Sequence, residues 1–357
     1  AQNLRKWLPA VGSVILLVGL SLLLYQPYRN WYAQGYTRVD LWWGDRTFLG
    51  DFITHWGLFI LIIVTWLFQE TIDWMEKTPV SALNRLRPYK TVIIAALVLY
   101  IVALAFLIIQ QHASTAWITL TLAVWALILL LRQGQPAPKR AVLFMIGTAS
   151  VLTLAVEVIV LVGDINRMNT VFKFYLQAWT LFSLSAAAGL CWLLPQMETR
   201  WKAGWRNAWQ TVVGILVVGA LLYPLTATAA KVNDRISDEA PHTLDGMTYM
   251  QTAEYHDPNG LLDLGADYRA IRWLQENVAG SPVIVEANTT EYRWGSRFSI
   301  YTGLPATIGW NWHQRQQRAT LPDTSVWLRI DEVTQFYNTL DIDQAVKFIQ
   351  KYDVKYI

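Results

Sequence analysis

Glu157 and Lys173 are the charges in this chain that most need explaining, because each stands inside an apolar run. An ionised side chain there costs about 2.5–3.5 kcal/mol on insertion scales, so it needs a partner or a purpose. Glu157 lies about five residues, or roughly 8 Å at the helical rise, before the end of one run, and Lys173 near the start of the next. Between them Gly163-Asp164-Ile165-Asn166-Arg167-Met168-Asn169-Thr170 is short. The two runs are therefore expected to form a helical hairpin with Glu157 and Lys173 within hydrogen-bonding or water-bridging reach. Asn169, Lys173 and Gln177 are spaced to share one helix face, and Glu157 and Asp164 stand near two turns apart. With Arg167 these groups would make a polar pocket, and intramembrane ionisable clusters are functional candidates by default. The plainer alternative is a Glu157 to Lys173 ion pair that only locks the hairpin.

Two further groups of residues carry possible chemistry. Asp40, Asp45 and Asp51, with Arg38 and Arg46 among them, lie in an aromatic-rich loop. Carboxylates so grouped could hold a divalent cation, Mg or Mn, through one or two ligands plus phosphate oxygens, or could be a solvated loop of alternating charge. Arg297 to Pro305 and Gly309 to Arg318 pack Arg297, Trp310, His313 and Arg318 into a short stretch. That mixture could bind a phosphate or a sugar, or clamp the loop to the rest of the protein. Other chemistries lack their residues. The one cysteine, Cys191, excludes an intramolecular disulfide and a Cys-based metal site within this chain. The five histidines are dispersed, with no H-E-x-x-H; there is no phosphate-cradling glycine loop and no nucleophile elbow. No nucleic-acid partner is expected.

The elements that must position these residues follow from charge and hydropathy. Residues 1–229 carry 17 Lys and Arg against 9 Asp and Glu, whereas residues 230–357 carry 12 against 17. The first part is basic and very apolar, and the second has the composition of a soluble domain. A bilayer span needs about 20 mostly apolar residues. Segments near 7–25, 53–69, 91–109, 116–132, 141–162, 172–194 and 211–229 meet that need, which makes seven expected spans. Connections on one side hold twelve Lys and Arg and those on the other four. Cytoplasmic loops hold the excess, so the N-terminus is expected inside and the C-terminal domain outside. Trp201, Trp205 and Trp209 recur every fourth residue among Arg200, Lys202 and Arg206, the pattern of an amphipathic surface helix ahead of the last span. The expected fold is thus a mainly α, polytopic membrane protein with about seven transmembrane helices over 1–229. A small extracytoplasmic α/β domain over 230–357 follows, with helices at 267–278 and 342–351 and strands at 282–287 and 354–357.

Residues Asp164 to Lys173, with Arg167-Met168-Asn169-Thr170-Val171-Phe172-Lys173-Phe174 followed by Gln177 and Trp179, resemble the strongest internal motif of the YYY membrane proteins, an uncharacterised multi-spanning family grouped with the GT-C glycosyltransferases. Glu157 stands where that family carries its preceding acid. Arg297 to Arg318 resembles its second motif, with Ser299, Thr302-Gly303-Leu304-Pro305, Gly309-Trp310 and His313, although Gln314 and Gln317 replace an expected Glu and Trp. The resemblance covers nearly the whole chain but only part of the family pattern. The tyrosine triplet that names the family is absent from these 357 residues, so the chain is expected to be a C-terminal half completed by an N-terminal half or a partner chain. That missing half would carry the loop whose carboxylate acts as base or metal ligand in GT-C enzymes.

The resemblance implies a GT-C-like membrane glycosyltransferase that uses a polyprenyl-phosphate-linked sugar on the outer face of the cytoplasmic membrane. In that scheme Lys173, Arg167 and the 297–318 loop serve the phosphate, with Asn169 and Gln177 beside them. Glu157 or Asp164 orients the acceptor or acts as base. Membrane lipid and a polyprenyl-phosphate sugar are the implied partners. The alternatives are a non-catalytic scaffold or accessory subunit of a membrane complex and, without visible inverted repeats, a transporter.

Overall fold

The computed structural model describes residues 2–31, 38–162, 165–258, 260–318, 320–322 and 324–357. The chain divides into two compact units, Tyr36–Thr228 and Ala1–Gly35 with Ala229–Ile357. It begins with α1 (Gln2–Leu24) and the short α2 (Gln26–Trp31).

In the unit Tyr36–Thr228 the order is β1 (Arg38–Leu41), α3 (Leu49–Lys77), a 3-10 turn Val80–Tyr89, α4 (Lys90–Ala105), α5 (Ala116–Leu130), α6 (Ala137–Val158), β2 (Ile159–Val162), α7 (Arg167–Arg200) and the start of α8 (Ala203–Arg235). Proline fixes where α6 begins: Pro136 precedes it and Pro138 occupies its first turn, where the missing N–H has no helical partner to lose. The core is aromatic and aliphatic, with Phe52, Trp56, Ile63, Trp66 and Leu67 of α3 packed with Leu143 and Ile146 of α6 and Phe182 and Leu193 of α7. Gly189 of α7 lies closely against α3, where a Cβ would meet Trp66 at 3.4 Å, an ordinary contact distance with no room for a larger group. Small residues at such contacts matter in a bilayer, where close packing replaces the hydrophobic drive.

Each of the seven expected apolar segments falls in a helix, but not in seven equivalent ones. Among the described residues five helices are long and apolar enough to cross a membrane: Leu49–Lys77, Val80–Gln110, Ala137–Val158, Arg167–Arg200 and Ala203–Arg235. The apolar stretches Val11–Leu24 and Ala116–Leu130 are shorter. At 15 residues, α5 is about 22 Å long against a hydrocarbon core of about 30 Å. Two expectations are corrected. The helix read through residue 162 stops at Val158, and Ile159-Val160-Leu161-Val162 pairs antiparallel with Arg38–Leu41, Val39 opposite Leu161. β-branched residues suit that extended edge. The surface helix expected around Trp201, Trp205 and Trp209 is not a separate element, because α8 runs unbroken from Ala203. Trp209 donates to Thr65 Oγ1 at 3.0 Å and packs edge-on with Trp201, so two of the three tryptophans pack into the bundle.

In the other unit, a hairpin of β3 (Glu254–Asp257) and β4 (Gly260–Asp263) precedes α9 (Leu264–Asn277). Asp263 caps α9 by accepting from the Gly265 N–H. Next come β5 (Val283–Ile284), α10 (Arg297–Thr302), α11 (Asn311–Gln317), α12 (Thr324–Asn338), α13 (Ile342–Tyr352) and β6 (Val354–Tyr356). β5 pairs parallel with β6, Val283 opposite Val354. Val285, Ile308, Val326, Val333, Phe348 and Val354 form one core here, and Met247, Met250, Leu264 and Ile271 a second.

Candidate functional site

Glu157 is the penultimate residue of α6 and is wholly buried. Its carboxylate is met from both sides. The Thr47 backbone N–H donates to it at 3.0 Å and the Thr47 hydroxyl at 2.7 Å, while Arg167 at the start of α7 donates from Nη2 at 3.1 Å. Arg167 also donates to the Val156 carbonyl and lies over the Trp42 ring, 5.2 Å from its centroid. Next to Thr47, Arg46 donates from Nε to the Gln111 carbonyl at 2.9 Å and from Nη2 to Gln111 Oε1 at 3.0 Å. It also reaches the carbonyls of Trp42 and Gly44. Burial first, and then the charge of Arg167, hold Arg46 below its ordinary pKa, with Glu157 opposing them. Two guanidiniums thus act on one carboxylate.

The backbone around this cluster departs from regular geometry where the cluster needs it. α4 ends in a π-helical turn, Phe106–Gln110, which delivers Gln111 to Arg46; such turns recur at functional sites. His112 and Asn166 both have positive φ, at 52° and 50°. They flank Gln111 and Arg167 in sequence. Strain of this kind in non-glycine residues persists only where the surroundings enforce it. Thr170 ties β2 to α7: its hydroxyl accepts from the Leu161 N–H at 3.0 Å and donates to the Asn166 carbonyl.

The expected pocket therefore assembles differently. Among the described residues Glu157 pairs with Arg167 and not with Lys173, because β2 intervenes between α6 and α7 and the first turn of α7 faces Glu157. Asn169 is half-buried, and Lys173 and Gln177 are exposed along α7. Asp164 lies outside the described residues. Asp40 pairs with Arg38 at 2.8 Å, Asp45 lends its backbone carbonyl to Trp42, and Asp51 is exposed in the first turn of α3. Among the described residues no three His, Cys, Asp or Glu side chains gather, so these three aspartates do not come together in one cluster. Arg46, Thr47 and Gln111 carried no motif in the sequence. Arg46 registered there only as a loop charge.

The opposite end of the bundle holds a second ionic group. Lys139 donates to the buried Glu70, Arg200 pairs with Asp73 at 2.6 Å, and Gln69 donates to Asp73 at 3.0 Å. Four helix-end charges are thus paired within the protein.

In the other unit, the residues of the 297–318 stretch serve different neighbours. Arg297 pairs with Asp267 of α9 at 2.6 Å, and Trp294 donates to the same carboxylate at 2.8 Å. The buried Glu286 accepts from the Phe298 and Ser299 N–H groups at 3.2 and 3.0 Å, and burial raises its pKa despite those bonds and nearby Arg297. Trp310 and His313 cluster with Tyr292, whose hydroxyl lies 3.2 Å from His313 Nε2. Arg318 is exposed and bonds Gln314. Neither Asp267 nor Glu286 stood out in sequence, since an acid in a helix or strand of a soluble domain is ordinary.

No curated protein and no solved structure matches the chain. The family described as "Uncharacterized membrane protein (DUF2298)" matches residues 1–182, just over half of the chain and all of the Glu157, Arg167 and Arg46 cluster. Its membrane character agrees with the five helices among the described residues that are long and apolar enough to cross a bilayer, and by this match the chain belongs to the DUF2298 family of uncharacterised multi-pass membrane proteins.

Proposed function

We propose that this protein is a GT-C-like membrane glycosyltransferase of the YYY type, moving a sugar from a polyprenyl-phosphate carrier to an acceptor on the outer face of the cytoplasmic membrane. The observation that carries the reading is the pair of guanidiniums at Trp42, where Arg167 bonds the one buried carboxylate, Glu157, and Arg46 lies near enough to feel its charge, beside two residues of positive φ. A guanidinium has five N–H donors, and Arg167 commits two of them to Val156 and Glu157. The remainder suit the charge that develops on a departing phosphate. Lys173 stands on α7 beside the exposed apolar Phe172, Leu176 and Trp179. A lysine so placed can reach a lipid phosphate while its stem lies along the acyl chains. Glu157 is a positioning residue in this scheme, holding Arg167 and Thr47 rather than serving as base. Seven spans with the N-terminus inside, as the distribution of Lys and Arg favours, put this end of the bundle on the outer side together with the C-terminal domain.

A scaffold or accessory subunit is the second reading, and one observation favours it: Glu157 is saturated within the protein by Thr47 and Arg167, as a purely structural lock would be. Arg167→Met separates the two readings when combined with Glu157→Gln. The single change strands a buried carboxylate and should cost about 3–5 kcal/mol, and the double change should recover much of it. Thermal stability in detergent is measured beside product formation from a polyprenyl-phosphate sugar in membranes carrying the native protein. Transfer by the wild type, absent from the restabilised double mutant, supports the enzyme. An inert wild type, or a double mutant that transfers sugar normally, supports the scaffold.

A further inference from the structure

The unit that contains residues 229–357 has a cavity of about 610 Å³ that the membrane-site chemistry does not use. Asp257, Asn288, Thr290, Arg293, Trp294 and Arg297 line it, and its volume falls in the range of about 300–1,000 Å³ typical of small-molecule sites. We infer that it binds an anionic saccharide, a hydroxyl-bearing ring carrying a carboxylate or phosphate. Three features of the lining point to that class.

Trp294 borders the cavity and is held rigidly, its indole N–H donating to Asp267 and its ring stacked on Tyr255 at 5.8 Å. With Tyr255 and Tyr301 packed against it, the part of this indole that borders the cavity gives the apolar C–H groups of a sugar ring a fixed surface at little entropic cost. Asn288 and Thr290 supply both donors and acceptors, which a set of vicinal hydroxyls requires and an inorganic anion does not. Arg293 is exposed and makes no hydrogen bond or ion pair among the described residues, whereas Arg297 is committed to Asp267. One lining guanidinium is therefore available for an acidic group, to which it can bond through two parallel N–H groups. Thr289, between Asn288 and Thr290, keeps its hydroxyl buried and without a hydrogen-bond partner among the described residues. It packs where a Cβ on Gly295 would sit, so Gly295 shapes this wall.

The site is independent of the Glu157 cluster and stands whether or not the protein transfers sugars. Titration calorimetry of the full chain in detergent tests it with three probes: a disaccharide containing glucuronic acid, a neutral disaccharide of the same size, and inorganic phosphate. The acidic disaccharide should bind at least tenfold tighter than either of the others. Arg293→Gln, at an exposed side chain with no hydrogen bond or ion pair among the described residues, should erase that preference, and Asn288→Ala should weaken both sugars. Trp294→Phe, with the thermal transition checked in parallel, should weaken both as well. No binding, equal binding of acidic and neutral sugars, phosphate binding as tightly as the acidic sugar, or an unchanged preference in Arg293→Gln would each overturn the inference.

Discussion

At the scale of single residues, two buried glutamates show how the same side chain is put to different use. Glu157 is stabilised by a guanidinium and two donors from Thr47, so removing a partner is expected to cost more than removing the pair. Glu286 has two backbone N–H groups but no cation in direct contact, and burial raises its pKa above the ordinary 4.5. The sign of its contribution follows. Above 4.5 the unfolded chain releases this proton while the folded protein still holds it, so the folded state binds more protons and stability falls as pH rises through the folded value. The stability this proton contributes is fully present below the ordinary value and is lost as pH rises from there through the folded value. Glu286→Gln mimics the protonated form. Its thermal transition relative to wild type is therefore expected to rise as pH climbs from the ordinary value through the folded one, and to be level below that window. A wild-type and variant difference that stays flat across that window would assign the pH dependence to other groups.

At the scale of elements, the membrane unit depends on a few close approaches between helices. Gly189 of α7 against Trp66 of α3 is the clearest. A methyl group there meets the tryptophan at ordinary contact distance, 3.4 Å, and alanine is about 1 kcal/mol better than glycine inside a helix. Gly189→Ala should therefore be neutral or stabilising. Gly189→Leu should be destabilising by about 1–3 kcal/mol, since a larger group must displace Trp66 or part the helices. Thermal unfolding of both variants in detergent checks the reversal of sign; equal effects would mean that α3 and α7 are not closely apposed there. The β1 and β2 pair acts at the same scale. By ending α6 at Val158, it leaves Glu157 at a helix terminus where Thr47 and Arg167 can both reach it.

At the scale of the whole molecule, the decisive quantity is the distribution of charge across the bilayer. Lys139 and Arg200 count towards the basic side even though Glu70 and Asp73 neutralise them in the folded protein, because the positive-inside rule counts Lys and Arg and gives acids little weight. The lone Cys191 makes the proposed orientation simple to test. In a Cys191→Ser background, Ser237→Cys should react with a membrane-impermeant maleimide on intact cells or right-side-out vesicles, and Ser81→Cys should react only after permeabilisation. The reverse pattern would place residues 230–357 inside and remove the outer-face reading of the Glu157 cluster. Labelling of both from one side would require an even number of spans between positions 81 and 237.

The sequence by itself determined the membrane character and the placement of the long helices, because an apolar run of about 20 residues has few alternatives in a bilayer. It also identified Glu157 and Arg167 as members of a cluster, since a charge in such a run demands a partner. It could not choose the partner. Lys173 and Arg167 were both near enough in sequence, and the choice turned on Ile159–Val162 leaving the helix to pair with Arg38–Leu41. That strand reads equally well as more helix, because an apolar β-branched run following a helix has no periodicity of its own to distinguish it. Thr47 and Gln111 were invisible for a different reason: they reach Glu157 and Arg46 across 110 and 65 residues of chain, and a polar residue in a loop gives no sign of a partner that distant. The same holds for Trp294, Arg293 and Asn288. Only the tertiary structure places them around one cavity, because the loop that carries them folds against the β3 and β4 hairpin through contacts that no local spacing encodes.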